Sequence, residues 1–521
     1  MTIYFKYDKI KENKMAKSQE RRRVMSNKLV YGIHDKPKFN KMLIFAVQQL
    51  LAILAATIAV PTIIGIPTQI PAAIFGAGIG TLVYQLFTRF KSPVFLGSSF
   101  AFLGSLGVAL SYGYFGILLG SVVAGLVYVV IAIIVKFVGT NWVAKLMPPI
   151  IIGPTVMLIG LSLAGAAMGD IVKASSSELY SGYNLVGLLC GLVTFFTVVI
   201  CSTQKKYTMP KMIPFILGIL AGYFVASIFT VIGICCDLDY LKIINWGPIY
   251  NNFVNADGTF RGISAFFSVP KFSLVEGIKE LVTGTVSPEI LEANEGATVI
   301  NWGGVAEVVI AFLPVALVVF AEHIADHKNL SSIIDKDLIE DPGLDKTLLG
   351  DGVGSMAGAA FGVCPNTTYG ESVGCVAITG NASVATITTT AIMCIILSFF
   401  SPITTALQTI PSCVMGGVCL TLYGFIAISG LKMFKLVDLE NHKNLFVVAS
   451  ILISGIGGLT IQIPYSSALN EDGDFAKVIT ITAIATALII GIVTNFVLSK
   501  VEKCGCKEET AEEKQEEESD K

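Results

Sequence analysis

Three carboxylates and one polar run are the residues of this sequence best equipped for chemistry. Glu322 comes after fourteen residues without a charge and is followed by His323, Asp326 and His327. Glu322 and Asp326 stand four residues apart, so a helix carries them on one face. An ionised carboxylate stripped of water is costly, and an acid that is cheaper when protonated can bind and release a proton. His327 is a further candidate for such a relay, but it sits about 100° further round the helix than Asp326 and would serve equally as an interfacial anchor. The third carboxylate, Glu371, lies in CPNTTYGESVGCVAITG, Cys364 to Gly380, beside Asn366, Thr367, Thr368 and Tyr369. Polar groups inside membrane-grade sequence mark a functional site by default, because they must find partners there.

The backbone of that run is as informative as its side chains. NTTYG, and SPVFLGSSFAFLGSLG around residue 100, place small, polar and aromatic residues where a helix favours Leu and Ala. Both read as broken helices with short extended pieces, whose free N–H and C=O groups bind each other or a ligand. The plainer alternative is that small residues only permit close helix packing. Packing is the better account of Gly350, Gly354 and Gly358, since no Lys-Ser/Thr pair is there to make a nucleotide loop.

These groups suit binding more than bond-making. No HExxH motif and no Cys/His cluster is present, which argues against an enzyme. Of eleven cysteines, seven (Cys190, Cys201, Cys364, Cys375, Cys394, Cys413 and Cys419) lie in or beside apolar runs and read as small fillers. Cys235-Cys236 and Cys504-Gly-Cys506 lack the spacing of a zinc site. No metal and no cofactor is expected, and no basic face suggests nucleic acid.

The elements that must position the acids are membrane spans. The chain has 521 residues, 53% hydrophobic and only 14% charged, with mean hydropathy +0.72; soluble domains carry about a quarter charged residues. About 20 apolar residues cross the hydrocarbon, fewer where a span is broken. On that ruler fourteen segments are expected, near 42–60, 71–88, 95–110, 116–138, 147–167, 183–202, 212–234, 303–325, 347–364, 367–380, 383–400, 409–431, 444–462 and 476–498. An even number puts both termini on one side. Arg89, Lys91, Lys136, Lys145, Lys205, Lys206, Lys211 and the loops at 328–346 and 432–443 share that side with the ends of the chain, so both termini are expected to be cytoplasmic. Residues 1–41, with twelve Lys and Arg, read as a cytoplasmic basic arm, not a signal peptide. Residues 235–302 form an extended outer loop, a cap or lid, with helical pieces near Leu274–Leu281 and Pro288–Asn294. Residues 499–521 form an acidic cytoplasmic tail too polar to fold alone.

The two halves echo each other. MPPIIIGPTVMLIGLSLAG has Pro148 five residues before Gly153, and IPSCVMGGVCLTLYGFIAISG has Pro411 five before Gly416, an offset of 263 residues. Seven spans on each side of the long loop give a 7+7 inverted repeat of the kind that builds midplane sites in transporters. The same offset sets Glu322 opposite Ala56–Pro61 and the polar run opposite 103–108, near Gly97–Phe100. The expected fold class is thus an all-α polytopic membrane protein with two short antiparallel strands in broken spans 3 and 10.

AEHIADHKNL, GSSFAF and PNTTYGESVGCVAITG together resemble the nucleobase/ascorbate transporter family, in its bacterial uracil permease branch, over about Phe39 to Leu498. The family's signature falls on Glu371, Ser372, Val373, Gly374, then Thr379 and Gly380; Ser372 stands where the family usually has Asn. The resemblance implies a core domain (42–138 and 303–400) and a gate domain (147–234 and 409–498), moving in a homodimer in the inner membrane. It implies that Glu322 and Glu371 accept the N–H groups of a pyrimidine, that backbone at Phe100 and Gly370 meets its carbonyl oxygens, and that Phe100, Tyr369 and Ala56 line its faces. Uracil has two N–H donors and two carbonyl acceptors, which such groups complement without a cation. Uracil permeases usually place His four residues after the first Glu, where this chain has Asp326, so Glu322 is the expected proton carrier with Asp326 assisting. Sodium is left open as the coupling ion. The rivals are a purine (xanthine or urate) carrier of the same family, an anion carrier with a related repeat, and a channel.

Overall fold

The computed structural model describes residues 29–173, 183–464 and 478–519. Most of the basic arm, residues 1–28, and the side chains of Cys504 and Cys506 lie outside that description. Helix α1 (Phe39–Ile63) and α2 (Ile70–Phe87) lead into strand β1 (Leu96–Ser98), a 3-10 turn at Phe100–Phe102 and the short α3 (Leu103–Leu110). Then come α4 (Gly113–Val138), α5 (Pro149–Ile171), α6 (Leu185–Thr203), α7 (Pro214–Cys236) and a long connection that contains α8 (Ser273–Thr283). The second half holds α9 (Trp302–Ile334), α10 (Leu344–Phe361), β2 (Asn366–Thr368), α11 (Gly370–Thr379), α12 (Val384–Ser398), α13 (Ser412–Met433) and α14 (His442–Ile456). It closes with β3 (Ile461–Pro464), β4 (Val478–Ile481) and α15 (Ala483–Ser519).

Nine helices among the described residues are long and apolar enough to cross a membrane, and the chain is an integral membrane protein. They are α1, α2, α4 to α7, α9, α13 and the first part of α15. The other expected spans coincide with shorter elements: β1 with α3, α10, β2 with α11, α12, and α14. The two expected strands are present and pair antiparallel.

Two details differ from the sequence expectation. A second small sheet exists, β3 against β4, pairing Ile461 with Ile481 and Pro464 with Val478. It takes the end of the segment expected as helix at 444–462 and the start of the one at 476–498, because IQIP and VITI are rich in β-branched residues, which favour strands. The tail is helical through Ser519 as a continuation of α15, since Glu, Lys, Gln and Ala are good helix formers even without a core. The long connection does hold the two helical pieces, at Ser273–Thr283 and Pro288–Ala293.

Glycines set the closest helix crossings. A methyl group on Gly354 of α10 would lie 2.7 Å from the Gly80 carbonyl oxygen of α2, and one on Gly358 would lie 2.8 Å from that of Gly76. The stripe Gly350-Gly354-Gly358 is therefore a packing seam, and the pocket it leaves is filled by the Asn366 side chain, whose Nδ2 donates to the Gly76 carbonyl at 3.1 Å. The two helices that carry the internal echo, α5 and α13, cross in the same way; a methyl on Gly430 would meet Gly153 O at 2.5 Å. Both start just after a proline in extended conformation, Pro148 and Pro411, a good helix entrance because the missing N–H has no intrahelical partner to lose. At the basic end, Asp341 accepts from Lys336 and from Lys91, each at 2.8 Å. Those hydrogen bonds hold its carboxyl down at about 2.

Gly354→Val is expected to force α10 off α2, at a cost of about 1–3 kcal/mol for overpacking. Gly107→Ala, at a position with nothing within 4 Å of an added methyl, should leave stability unchanged or slightly raised. Thermal melting in detergent checks the pair, and equal melting temperatures would contradict the seam.

Candidate functional site

The site begins with backbone. Strand β1 meets β2 in the register Leu96 to Thr368, Gly97 to Thr367 and Ser98 to Asn366. Ser99 N donates to Pro365 O at 3.0 Å and Tyr369 N to Phe95 O at 3.1 Å, which extends the ladder at both ends. The free edges are met by side chains. Thr81 Oγ1 accepts from Leu96 N at 2.9 Å, and Ser355 Oγ donates to the Asn366 carbonyl. Gly97 has no side chain because the Tyr369 ring lies there; a methyl would come 2.7 Å from the Tyr369 hydroxyl oxygen. That hydroxyl is 3.3 Å from Thr57 Oγ1 on α1.

Just past the strands the chain turns helical again, into the 3-10 turn at Phe100 and into α11 at Gly370. Helix starts leave N–H groups without intrahelical partners and carry partial positive charge. A cavity of about 720 Å³ lies at this crossing. Ser98, Phe100, Thr367, Thr368, Tyr369, Gly370, Glu371, Glu322 and Asp326 line its inner end. It runs to Lys211 before α7, Ser332 near the end of α9 and Lys432 near the end of α13. Those helix ends share the basic face of the sequence.

Glu322, Glu371 and Asp326 are thus brought together on one cavity, from α9 and α11. Their partners differ. Asp326 Oδ2 accepts from Thr368 Oγ1 at 2.7 Å, tying α9 to β2. Glu322 Oε2 is buried with no protein partner, as is Thr367 Oγ1. Phe100 packs edge-on against Tyr423 of α13, with ring centres 5.4 Å apart. Gly370 is open to the cavity.

Two expected positions lie elsewhere. Ala56 is fully buried in the packing core and is not on the cavity wall; Ala52, one turn earlier on α1, is. His327 points away from the cavity, with Nε2 2.8 Å from the Tyr84 hydroxyl and Nδ1 2.8 Å from the His323 carbonyl. The rotation between residues 326 and 327 is what separates them. Ser372, too, turns from the cavity and accepts from Gln49 Nε2 at 2.5 Å.

Sequence reasoning did not single out Asp351, Thr81, Ser355 or Gln49. Asp351 is fully buried in the glycine seam of α10, its Oδ2 2.7 Å from His323 Nδ1. His323 Nε2 is 3.1 Å from Thr347 Oγ1, and the His323 and His327 rings stack with centres 4.0 Å apart. The available signal was Asp351 as the one charged residue of the span expected at 347–364. Among the described residues no group of three or more metal-ligating side chains converges.

The comparisons agree with this architecture. A family model described as a permease family, that of the xanthine/uracil permeases, matches residues 40–257 and 280–463. The uracil permease of Bacillus caldolyticus is 34% identical over 475 residues, covering 91% of this chain and 95% of that protein. The uracil permease of Bacillus subtilis is 31% identical over 483 residues, covering 92% and 98%. Among solved structures, SLC26A9 superposes with a TM-score of 0.53 at 10% identity; the match covers 89% of this chain and 66% of that one. The murine SLC26A9 anion transporter in its inward-facing state gives 0.50 at 12% identity, covering 90% and 69%. At such identities the likeness is one of fold. Matched along most of its length by the family model and by relatives at 31–34% identity, this chain belongs to the xanthine/uracil permease family, the nucleobase/ascorbate transporters.

Proposed function

We propose that the protein imports uracil together with a proton across the cytoplasmic membrane by alternating access. It is a transporter, not an enzyme. The observation that carries this reading is the convergence of Glu322 and Glu371 on one cavity where two helix starts face each other across the β1–β2 crossing. Uracil offers alternating N–H and C=O groups round a flat ring, so carboxylates at Glu322 and Glu371 take the donors and backbone N–H groups at Phe100 and Gly370 take the acceptors. Phe100 and Tyr369 supply apolar faces. Relatives that carry the name uracil permease support the choice of substrate.

In this reading the fourteen segments form a 7+7 inverted repeat. Spans at 42–138 and 303–400 make the core domain that holds the site, and those at 147–234 and 409–498 make the gate. The seam between α5 and α13 supports a gate built on the internal echo. The cavity reaches Lys211 and Lys432, and if that basic face is cytoplasmic, as the positive-inside rule has it, the conformation is open to the cytoplasm. Both termini lie there, and the unit is a homodimer. Residues 235–302 are the outer connection and the end of α15 the cytoplasmic tail.

Glu322, with an unpartnered carboxylate oxygen, is the proton carrier; Asp326, held by Thr368, assists it. His327 is a structural residue in this scheme, since its ring nitrogens are used by Tyr84 and the His323 carbonyl. Glu322→Gln is therefore expected to abolish concentrative uptake of labelled uracil in proteoliposomes with an imposed proton gradient. Asp326→Asn should weaken coupling to the gradient more than His327→Ala, whose main effect should be a lower melting temperature. Wild-type accumulation by all three variants would refute the scheme, and a response to sodium instead of protons would reassign the ion.

Substrate choice has its own measurement. Excess unlabelled uracil should suppress uptake of labelled uracil, while xanthine and sulfate at the same concentration leave it within about twofold, since a cavity lacking complementary groups forfeits the binding energy of unmatched polar atoms. Suppression by xanthine equal to that by uracil would move the assignment to a purine carrier.

A further inference from the structure

The outer connection between α7 and α9 carries a helix whose polarity is the reverse of a soluble cap. In α8, SLVEGIKELVT, the side turned into the protein is made of Ser273, Gly277 and Glu280. Ser273 Oγ donates to the Gly362 carbonyl at the end of α10. Glu280 Oε2 accepts from Tyr114 N at 2.7 Å and Oε1 from Ser287 N at 2.9 Å. Gly277 lets the helix settle on α4, where an added methyl would lie 3.1 Å from Phe115 N and 3.0 Å from Leu118 Cδ1. The apolar side chains are the ones left outside: Leu274, Val275, Ile278, Leu281 and Val282 are 44, 58, 51, 43 and 81% exposed.

Helical geometry sorts these residues into three arcs. At about 100° per residue, the five apolar side chains occupy about 120° of the circumference, and Ser273, Gly277 and Glu280 fill a separate arc of about 60° against the protein. Lys279, Thr283 and Glu276 take the remaining side. A helix in water between protein and solvent needs two faces, whereas one lying at a bilayer surface beside its own protein needs three. The apolar arc also adjoins the exposed apolar side of α4, a helix long and apolar enough to cross a membrane. Below it on α4 the outward side chains are Val122, Leu126 and Val130, 39, 48 and 54% exposed. In the stretch before α8, Phe267 pairs with Phe400 at the end of α12 and is itself 61% exposed.

We infer that α8 is a membrane-surface helix, with Leu274, Val275, Ile278, Leu281 and Val282 inserted into the acyl boundary of the leaflet opposite the cavity mouth. The placement follows from α7, which runs about 34 Å from Pro214 at the cavity mouth to Cys236, where the outer connection starts. Lys279 sits on the flank where its stem can cross the boundary and its ammonium reach the headgroups. The connection is then an anchor that holds the start of α4 and the end of α10 at a set depth, and not a lid over the site. A second copy of the chain is the competing occupant, but it would leave the aligned strip on α4 and the third, polar arc without a reason.

Site-directed spin labelling of the full-length protein in liposomes tests this. Cys235, Cys236, Cys504 and Cys506 are replaced by Ser, and single cysteines are placed at Val275, Ile278, Val282, Lys279 and Thr283. The ratio of oxygen to nickel-chelate collision rates should be several-fold higher at Val275, Ile278 and Val282 than at Lys279 and Thr283. Equal ratios at all five would put α8 in water and overturn the inference. Low collision with both reagents, with dipolar broadening between labels at Ile278, would show that a second copy covers the face and would overturn it equally. Uracil uptake by each labelled variant, measured in parallel, keeps this result separate from the assignment of substrate.

Discussion

Unpaired backbone in a low-dielectric interior is the constraint on which this structure turns. A peptide group without a partner in hydrocarbon costs several kcal/mol, so a span can be broken only where another broken span completes it. Here β1 and β2 complete each other, and the residual edges are met by Thr81 and Ser355. The reward of breaking both helices is a pair of helix starts at mid-depth, each with N–H groups to offer. A continuous helix at either place would present only side chains.

That arrangement divides the polar residues into two populations. Glu322, Glu371, Asp326 and Thr368 face the cavity, while Asp351, His323, Thr347, His327, Tyr84 and Ser92 bond among themselves behind it. The two sets meet on α9, which carries Glu322 and Asp326 on one side and His323 and His327 about a quarter-turn round from them. Its cavity side keeps an unpartnered carboxylate oxygen, whereas its inner side leaves the imidazoles no spare nitrogen. Reactivity toward a solute and rigidity of the scaffold are thereby placed a quarter-turn apart. The glycine seam makes this possible, since α2 and α10 must approach closely for Asn366 to reach the Gly76 carbonyl from the strand.

Much of this was legible in residue types and spacing. Long apolar runs with bare interiors can only be spans, because charge is expelled from hydrocarbon. Polar residues at 366–371 and the Gly-Ser pair near 97 read as a break, because they stand where a helix favours Leu and Ala. The echo of Pro148 and Gly153 in Pro411 and Gly416 identified two related helices, and their direct crossing is what close glycines permit. Less legible were features that depend on small angles. Residues 326 and 327 differ by one step, yet one is at the cavity and the other inside. Ala52 and Ala56 share a face of α1, and only the depth of the strand crossing decides which one meets the cavity.

The sequence by itself determined that the chain crosses a membrane, where its helices break and which acids are exceptional, since each of these follows from the cost of burying polar groups. Only the tertiary structure decided which partner each acid has. Glu322 is left with a free oxygen, Asp326 takes a hydroxyl from β2, and Asp351 is used up by His323. Partnership depends on distances between elements hundreds of residues apart in the chain, and no local pattern encodes those. The same holds for α8, whose heptad-like spacing shows two faces but not that the polar one would be buried.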